Sequence, residues 1–308
     1  MKRHYVSRPI PLDLLERLRA VLDVTSPEHG EPPTEAQLLA ELPGHDAALV
    51  QLTEPVTTAV LEAGARRGLS LVAQVAVGLD NIDLSAARRV GVAVTHTPGV
   101  LTDATADLAM ALMLATCRRI PEAERYVRQG RWGHWSLDLM CGLELRGATL
   151  GILGFGRIGR AVAQRAEAFG MRVQWTDAHA GVPLAELLAT SDVLSLHAPL
   201  RSATRWIIDR EALFAMKPGA ILINTARGAL VEEQAIVPAL EEGPLRAVGL
   251  DVYEDEPRLH PALLGRDDVI LLPHIGSATT KTRHRMAELA TESVRAWLDG
   301  APIPNRAV

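Results

Sequence analysis

Polar side chains terminate several predicted strands of this sequence, and ligands of parallel α/β sheets lie at such strand ends. Arg227 ends a strand in a small-residue segment, where a guanidinium can fork onto a carboxylate. His274 ends the last strand and could be a proton donor or an ordinary structural histidine. Glu256 taken alone could be a solvated loop acid, as we expect of Glu254 and Asp255. The other polar residues at strand ends are Asp177, His197 and Asp251.

A glycine-spaced turn lies at the centre of the chain, within residues 148–160. An apolar run predicts a strand before the turn, and helical spacing of apolar residues predicts a helix after it. Gly154, Gly156 and Gly159 form G-x-G-x-x-G, which allows a tight turn, close approach of a pyrophosphate and close packing of helix on strand. Asp177 follows 18 residues beyond Gly159, where a ribose-binding carboxylate is expected. The spacing predicts dinucleotide binding.

The composition indicates a globular protein of two domains. At 308 residues the chain exceeds the size at which one core usually keeps growing, and 48% of its residues are hydrophobic. A net charge of −5 gives no basic surface for nucleic acid or anionic membrane. The longest apolar run, 108–115, is too short to cross a bilayer, and we expect no secretory signal. Two cysteines without C-x-x-C spacing predict no disulfide framework, no metal site and a cytoplasmic location.

Short apolar strands alternate with helical patterns along the chain, which predicts parallel βαβ units. The early alternation predicts a small α/β domain, and six strands from residue 148 onward predict a dinucleotide-binding domain. The final helix is expected to cross back to the first domain. Predicted strands cover 5–6, 46–52, 69–75, 92–95, 148–153, 171–176, 193–196, 220–224, 248–252 and 269–272. Predicted helices cover 12–22, 56–67, 84–90, 103–120, 158–169, 184–189, 210–216, 232–242 and 280–298.

These patterns predict one domain from residues 1–97 with 278–308, and a second from 98–277. The methionine-containing helix 103–120 is expected to be buried between domains or subunits. Two tryptophans in the segment 131–142 could anchor an interface or pack within the loop.

Five motifs in register resemble the D-isomer-specific 2-hydroxyacid dehydrogenases over essentially the whole chain. They are residues 154–159, 191–199, 224–228, 251–257 and 273–276. Residues 100–107 and 274–279, together with Cys141 and Gly142, look like the glyoxylate/hydroxypyruvate reductase branch of that family.

The resemblance implies two doubly wound parallel-sheet domains with a cleft between them, a flavodoxin-like substrate domain and a Rossmann NAD-binding domain. It implies that Arg227 binds the carboxylate and carbonyl of a 2-oxo acid, His274 is the acid/base, and Glu256 holds and polarises the histidine. Backbone N–H groups of Val77 and Gly78 would bind the substrate carboxylate. It also implies a homodimer formed through the glycine-loop domain.

The expected cofactor is NAD, because the Asp177 carboxylate would bind a ribose hydroxyl and repel a 2′-phosphate. The expected cofactor contacts are Thr102, Gly154, Gly156, Arg157, Ile158, Gly159, Asp177, His197, Ala198, Pro199, Thr204, Thr225, Ala226, Asp251 and Gly276. The expected substrates are small 2-oxo acids, and glyoxylate and hydroxypyruvate are expected to outperform branched or aromatic 2-oxo acids.

Two departures from the family pattern affect these expectations. The connection 178–183 is short, which predicts a more open adenine pocket, and Leu139 stands where mammalian members of the reductase branch carry a tryptophan. A phosphoglycerate or phosphite dehydrogenase is the alternative enzyme. A non-enzymatic, NAD-sensing corepressor is the alternative of another class, although such proteins carry extra disordered tails. A formate dehydrogenase would have glutamine in place of Glu256.

Overall fold

The computed structural model describes residues 1–27 and 30–308, and the chain divides into two units. Residues 1–101 and 279–308 form the first unit, and residues 102–278 form the second. The boundaries predicted at residues 97 and 277 lie slightly before these positions. That the first unit binds substrate and the second binds the cofactor stays a prediction at this point.

The strands in chain order are β1 Arg3–Val6, β2 Asp23–Thr25, β3 Ala47–Val50, β4 Leu71–Gln74, β5 Ala93–Thr95, β6 Thr149–Leu153, β7 Arg172–Thr176, β8 Val193–Leu196, β9 Ala220–Asn224, β10 Leu245–Leu250 and β11 Val269–Leu271. The α-helices are α1 Leu12–Arg19, α2 Glu35–Glu41, α3 Thr58–Ala65, α4 Leu84–Val90, α5 Thr102–Cys117, α6 Ile120–Arg128, α7 Arg157–Ala168, α8 Leu184–Thr190, α9 Arg210–Phe214, α10 Ile236–Glu241 and α11 Thr280–Leu298.

Each unit contains one parallel sheet, so the predicted fold class of two α/β domains is confirmed. The first sheet has the order β2-β1-β3-β4-β5, which is the flavodoxin-like order. The second has the order β11-β10-β9-β8-β6-β7. Its strand order reverses between β6 and β8, and ligands of doubly wound sheets bind at such a point.

Each sheet has an apolar layer on both faces. Along β3, Ala47 and Leu49 belong to one cluster, and Ala48 and Val50 belong to another. Along β9, Leu222 and Ile223 are divided between two clusters of the second unit in the same way. Because side chains alternate across a strand, these clusters cover opposite faces of each sheet. Burial on both faces explains why the strands read as continuous apolar runs.

Several elements differ from the sequence expectation. β2 and α2 were not predicted, because Asp23–Thr25 is too short and polar for an apolar run and α2 buries only Leu38. The helix predicted over 103–120 is interrupted at Arg119, whose φ is +54° and which forms the N-cap of α6. The helix predicted over 232–242 is a short 3₁₀ turn, Glu233–Ala235, followed by α10.

The methionines of α5 lie in the core of the second unit, which corrects the expectation that this stripe is buried between domains or subunits. Met110 and Met113 pack in one apolar cluster with Leu150 and Ile152 of β6. Close approach of α5 to the sheet depends on Gly249, where a Cβ would lie 2.7 Å from the Thr116 hydroxyl. A large side chain at this position of β10 would therefore separate helix and sheet.

No helix within residues 1–27 and 30–308 is both long and apolar enough to span a membrane.

Candidate active site

The glycine-rich segment connects β6 to α7 where the order of the second sheet reverses. Gly154 has a φ of +97°, and a Cβ there would lie 2.4 Å from the backbone nitrogen of Ala198. A Cβ on Gly159 would lie 2.2 Å from the carbonyl oxygen of Gly154. Two of the three motif glycines are therefore required by backbone contacts inside the second unit.

The third glycine borders open space. A Cβ on Gly156 would meet no atom within 4 Å, and Gly156 is the N-cap of α7 with no side-chain capping bond. The first N–H groups of a helix have no intrahelical acceptor, and with the helix dipole they favour an anion. Arg157 and Ile158 begin the helix at this edge. The segment fits the pyrophosphate of a dinucleotide.

Asp177 closes a tight turn at the end of β7. Its Oδ1 accepts the N–H groups of His179 at 2.8 Å and Ala180 at 3.0 Å, and the N–H of Asp177 donates to the Ala180 carbonyl. The hydrogen bond from His179 holds the pKa of the Asp177 carboxyl below its usual range. Asp177 is therefore a carboxylate at neutral pH. The short connection forms a closed turn, and the predicted openness of an adenine pocket stays a prediction.

An aromatic stack beside this turn was missed in the sequence. Phe155 lies inside the glycine motif and stacks on Trp175 of β7, with ring centroids 4.4 Å apart and planes within 6°. The Arg160 guanidinium lies over the Phe155 ring, 4.7 Å from its centroid. The feature of the sequence that could have indicated this stack is a phenylalanine between two glycines of the motif. The stack ties the glycine segment to β7.

The residues that follow β8 form a self-closed loop. The N–H of His197 donates to the Leu153 carbonyl at 2.7 Å, and its Nε2 lies 2.8 Å from the Ser195 hydroxyl. Burial lowers the pKa of His197 to about 4, so its ring is neutral at physiological pH. Thr204 donates its hydroxyl proton to the Pro199 carbonyl at 2.8 Å. This places His197, Ala198, Pro199 and Thr204 in one segment beside the glycine turn.

Thr225 has a buried hydroxyl that the protein leaves unsatisfied. Its Oγ1 is shielded from solvent and makes no hydrogen bond to any residue in 1–27 or 30–308. Buried polar atoms are normally paired, so an orphan at a strand end fits contact with a polar ligand. Of the other expected cofactor contacts, Ala226 follows Thr225, and Thr102 begins α5.

A clamped turn carries Arg227 at the end of β9. The Asn224 side chain accepts the N–H of Ala226 at 3.0 Å and donates to the Arg227 carbonyl at 2.8 Å. A Cβ on Gly228 would lie 1.8 Å from the carbonyl carbon of Tyr253. The turn therefore packs backbone to backbone against the segment that carries Glu256. Asn224 was not among the predicted site residues, although it is the one polar residue of an apolar strand.

Asp251 fixes the segment that carries His274. Its fully buried carboxylate accepts the N–H groups of Ile275 at 2.7 Å and Gly276 at 2.8 Å. Burial raises the pKa of the Asp251 carboxyl, an effect that the two N–H donors oppose. His274 has a φ of +54°, a conformation uncommon for residues other than glycine. The two hydrogen bonds hold the histidine in it.

His274 and Glu256 meet at the edge of this segment. His274 Nδ1 lies 2.8 Å from Glu256 Oε2, and the other carboxylate oxygen accepts the Tyr253 N–H at 3.1 Å. The two side chains are 28% and 26% exposed, so a small ligand can reach them. With Nδ1 facing Glu256, Nε2 is the nitrogen that can exchange a proton with a ligand. The pair has the geometry of a histidine acid/base held by a carboxylate.

The neighbouring acids differ from Glu256. Asp255 is exposed and pairs with Arg258, as expected of a solvated loop acid. Glu254 is not solvated in that sense, because its Oε1 accepts hydrogen bonds from Arg205 and Trp206, both at 2.7 Å. The expectation for Glu254 is therefore wrong, and only Glu256 of the three faces the histidine.

Val77 and Gly78 follow β4 in the first unit. The Val77 carbonyl lies 3.0 Å from His96 Nδ1, and the Gly78 carbonyl accepts from the Gln74 side chain at 3.3 Å. Gln74 also donates to Asn81 at 2.7 Å. The segment predicted to bind a carboxylate through its N–H groups is thus held by its carbonyls.

Comparison with known proteins supports the assignment from geometry. Residues 110–276 match the family model described as D-isomer specific 2-hydroxyacid dehydrogenase, NAD binding domain. A glyoxylate reductase from Korarchaeum cryptofilum (strain OPF8) is 43% identical over 317 aligned positions, covering 98% of this chain and 95% of the relative.

Two solved structures are similar over nearly their whole length. A protein from Thermus thermophilus has a TM-score of 0.93 and 46% identity, covering 99% of this chain and 100% of that one. An NADPH-dependent glyoxylate/hydroxypyruvate reductase from Sinorhizobium meliloti, solved with NADP and malonate, has a TM-score of 0.88 and 34% identity, covering 100% and 97%.

The chain belongs to the D-isomer specific 2-hydroxyacid dehydrogenases. It is an oxidoreductase that transfers hydride between a nicotinamide cofactor and a small 2-oxo acid. The resemblance to this family and to its glyoxylate reductase branch is confirmed.

The contrast between Gly156 and Gly159 gives a direct test of cofactor binding at the glycine segment. Gly156→Ala adds a methyl group that touches no protein atom, so we expect unfolding stability to change by less than about 1 kcal/mol. The same methyl group enters the space expected for the pyrophosphate, so the Kd for NADH should rise roughly tenfold or more. Unchanged NADH affinity in Gly156→Ala would contradict this placement.

Gly159→Ala is the matched variant. Its new Cβ meets the Gly154 carbonyl, so we expect overpacking to destabilise the fold by about 1–3 kcal/mol and to lower Tm. Thermal unfolding and NADH titration by fluorescence measure both variants.

Proposed function

We propose that this enzyme reduces glyoxylate and hydroxypyruvate with NADH as its preferred cofactor. The single observation that carries the proposal is the 2.8 Å contact between His274 and Glu256 at the strand ends of a dinucleotide-binding sheet. A 2-oxo acid needs an anchor for its carboxylate, a proton for its carbonyl oxygen and orientation toward a hydride. Relatives from Korarchaeum cryptofilum and Thermococcus litoralis are named glyoxylate reductases, which favours this over phosphoglycerate or phosphite oxidation.

Each polar group has a defined task in this proposal. Arg227 forks onto the substrate carboxylate and polarises the carbonyl, because a guanidinium matches two oxygens at once. The N–H groups of Val77 and Gly78 bind the same carboxylate. His274 donates the proton on Nε2 to the carbonyl oxygen, and Glu256 orients the ring and favours its protonated form. In the reverse direction neutral His274 accepts the hydroxyl proton.

The nicotinamide cofactor, when bound, supplies the hydride. We propose that the N–H groups around Gly156 and Arg157 hold its pyrophosphate and that Asp177 binds the adenosine ribose. Thr225, with its unpaired buried hydroxyl, and Asp251 lie at the strand ends that would face the nicotinamide half. The remaining predicted contacts, by the same proposal, are Thr102, Ile158, His197, Ala198, Pro199, Thr204, Ala226 and Gly276.

NADH is preferred over NADPH because Asp177 carries a negative charge at the end of β7. A carboxylate accepts a hydrogen bond from a ribose hydroxyl and repels a 2′-phosphate. The related Sinorhizobium meliloti enzyme is described as NADPH-dependent, so the family contains both preferences. The residue at this strand end is the feature that supports NADH here. A cytoplasmic location is likewise proposed, and cell fractionation would test it.

A panel of reductions tests the proposed substrate and cofactor together. We expect kcat/KM with NADH to be higher for glyoxylate and hydroxypyruvate than for pyruvate, 3-phosphohydroxypyruvate, phenylpyruvate and 4-methyl-2-oxopentanoate. NADPH should give a lower kcat/KM with the preferred acid, by roughly tenfold or more. A higher value for a bulky or phosphorylated acid would overturn the reductase assignment while leaving the dehydrogenase class intact. Equal or better rates with NADPH would overturn the role of Asp177.

The pH dependence of Glu256→Gln tests the acid/base pair. Reduction needs protonated His274, and removal of the neighbouring charge makes the imidazolium less favourable. The alkaline limb of the kcat/KM profile for reduction should therefore move to lower pH. Oxidation needs the neutral ring, so its acidic limb should also move to lower pH.

Asp255→Asn is the matched control, because Asp255 lies in the same loop and its carboxylate pairs with Arg258 rather than with the histidine. Its limbs should coincide with those of the wild type. His274→Ala should nearly abolish both directions and leave NADH binding largely intact. If the limbs of Glu256→Gln also coincide with the wild type, Glu256 is not coupled to the proton-transferring group.

We also propose that two copies associate through the second unit. The apolar side chains of Trp132, Trp135 and Leu137 are 59%, 72% and 84% exposed, so these tryptophans do not pack within their own loop. Ile120 and Val127 of α6 are exposed in the same unit. Exposed apolar surface of this kind favours protein association.

Sedimentation equilibrium should then give twice the chain mass of 33.2 kDa. The double substitution Trp135→Glu and Leu137→Glu should shift the protein to monomer at micromolar concentration. Leu12→Glu is the control, because Leu12 is 64% exposed in the first unit. A wild-type monomer, or equal dissociation in the control, would refute association through this segment.

A further inference from the structure

The segment that carries Glu256 donates two backbone hydrogen bonds to one buried side chain. Glu233 is only 8% exposed, and its Oε2 accepts the N–H of Glu254 at 2.9 Å. Its other oxygen, Oε1, accepts the N–H of His260 at 2.5 Å. Glu254 and His260 flank Glu256 on the two sides. A single carboxylate therefore holds both ends of the loop that presents Glu256.

Glu233 follows a buried and hydrogen-bonded stretch of the second unit. It begins the 3₁₀ turn Glu233–Ala235, and the preceding residues Leu230 and Val231 are buried. The N–H of Ile208 donates to the Leu230 carbonyl at 3.0 Å. The same stretch of chain carries Arg227 only a few residues earlier. Glu233 thus connects the arginine-bearing stretch to the loop that contacts the histidine.

The other contacts of the loop do not replace this support. The Tyr253 hydroxyl donates to the Leu272 carbonyl at 2.8 Å, which anchors the loop at its beginning. Arg205 and Trp206 bind the Glu254 side chain, at a side of the loop that is partly exposed. Among these partners, Glu233 is the one that contacts the backbone after Glu256.

We propose that Glu233 is a positioning residue for proton transfer, which acts by fixing the loop so that Glu256 meets His274. The inference rests on the proposed roles of Glu256 and His274. A carboxylate can accept two backbone N–H groups at once, whereas a glutamine amide offers one oxygen and a nitrogen that is itself a donor. Glutamine at position 233 leaves one of the two N–H groups facing another donor, and relief of that contact moves the loop.

Glu233→Gln tests the proposal, with Glu232→Gln as its matched control. Glu232 is the adjacent acid, and its side chain accepts the Arg210 N–H at 2.9 Å and the Gln234 amide at 2.8 Å, away from the loop. The first measurement is amide hydrogen exchange in the absence of substrate. The amide protons of Glu254 and His260 should exchange roughly tenfold faster or more in Glu233→Gln. Such an acceleration means that the equilibrium constant for local opening of the loop has risen by the same factor. Peptides of α7 should exchange as in the wild type.

The second measurement separates positioning from a general structural role. In Glu233→Gln, kcat for glyoxylate should fall by roughly tenfold, and KM for NADH should stay within about twofold. The alkaline limb for reduction should move to lower pH, as in Glu256→Gln. Asp251 also interacts electrostatically with His274, and it is unchanged in these variants. Glu232→Gln should match the wild type in each measurement.

The double variant Glu233→Gln with Glu256→Gln gives the decisive comparison. If Glu233 acts through Glu256, the limb moves no further than in Glu256→Gln alone, because the two changes are not additive. A limb that stays at the wild-type position in Glu233→Gln, or that moves additively in the double variant, would overturn the proposal. Unchanged exchange at Glu254 and His260 would also overturn it.

A folding defect does not prevent the test. If Glu233→Gln does not fold, Glu233→Asp retains two acceptor oxygens on a side chain one methylene shorter, and it should show the same changes at smaller amplitude. The same results overturn the proposal in that variant. Wild-type inactivity toward every 2-oxo acid would refute the proposed function alone, because the exchange measurement needs no substrate.

Discussion

The buried carboxylate of Asp251 is the interaction on which the candidate site depends. It stands at the end of β10, where its own N–H donates to the Asn224 carbonyl of β9 and its side chain accepts two N–H groups from the segment after β11. One residue therefore joins three neighbouring strand ends. A buried carboxylate is costly without such donors, so the segment is held strongly in place. Its two side-chain hydrogen bonds directly follow His274, and they help to hold the left-handed backbone of that residue.

The order of the second sheet then decides which side chains meet. β9, β10 and β11 are adjacent, and their ends carry the Arg227 turn, the Glu256 loop and His274. The glycine segment lies further along the same edge, between β6 and β8. Because all strands are parallel, their carboxyl ends share one edge, and residues far apart in the chain gather there. The contact between Gly228 and Tyr253 sets how closely the arginine turn and the glutamate loop approach.

Much of this could be read from the sequence, because the signals were local. The glycine spacing, the apolar strands and the polar residues after them each occupy a few consecutive positions. The fold class followed from their alternation. β2 and α2 were not accessible in this way, since one has only three residues and the other rests mainly on the capping box formed by Thr34 and Gln37. β2 forms by pairing with β1, and α2 buries Leu38 in an apolar cluster of the first unit.

The roles of the three acids at 254–256 could not be separated in the sequence for a different reason. They are three consecutive acids of one loop, so residue type and position do not distinguish them. Their partners come from distant segments: Arg205 and Trp206 for Glu254, and His274 for Glu256. Glu233 was hidden for the same reason, because its partners are backbone N–H groups that leave no mark on residue type. Long-range partners decide the role of an acid, and a single sequence does not display them.

The two histidines at strand ends of the second unit show how neighbouring groups decide what a side chain can do chemically. His197 is partly buried beside the Ser195 hydroxyl, and desolvation lowers its pKa to about 4, so its ring is neutral at physiological pH. His274 is partly exposed, and its Nδ1 lies 2.8 Å from a carboxylate oxygen of Glu256. Carbonyl reduction needs a proton donor within hydrogen-bond reach of the carbonyl oxygen, and a ring that stays neutral at physiological pH is a poor donor. The proposal that His274 rather than His197 is the acid therefore rests on the neighbouring atoms, since the residue type and the position at a strand end are the same for both.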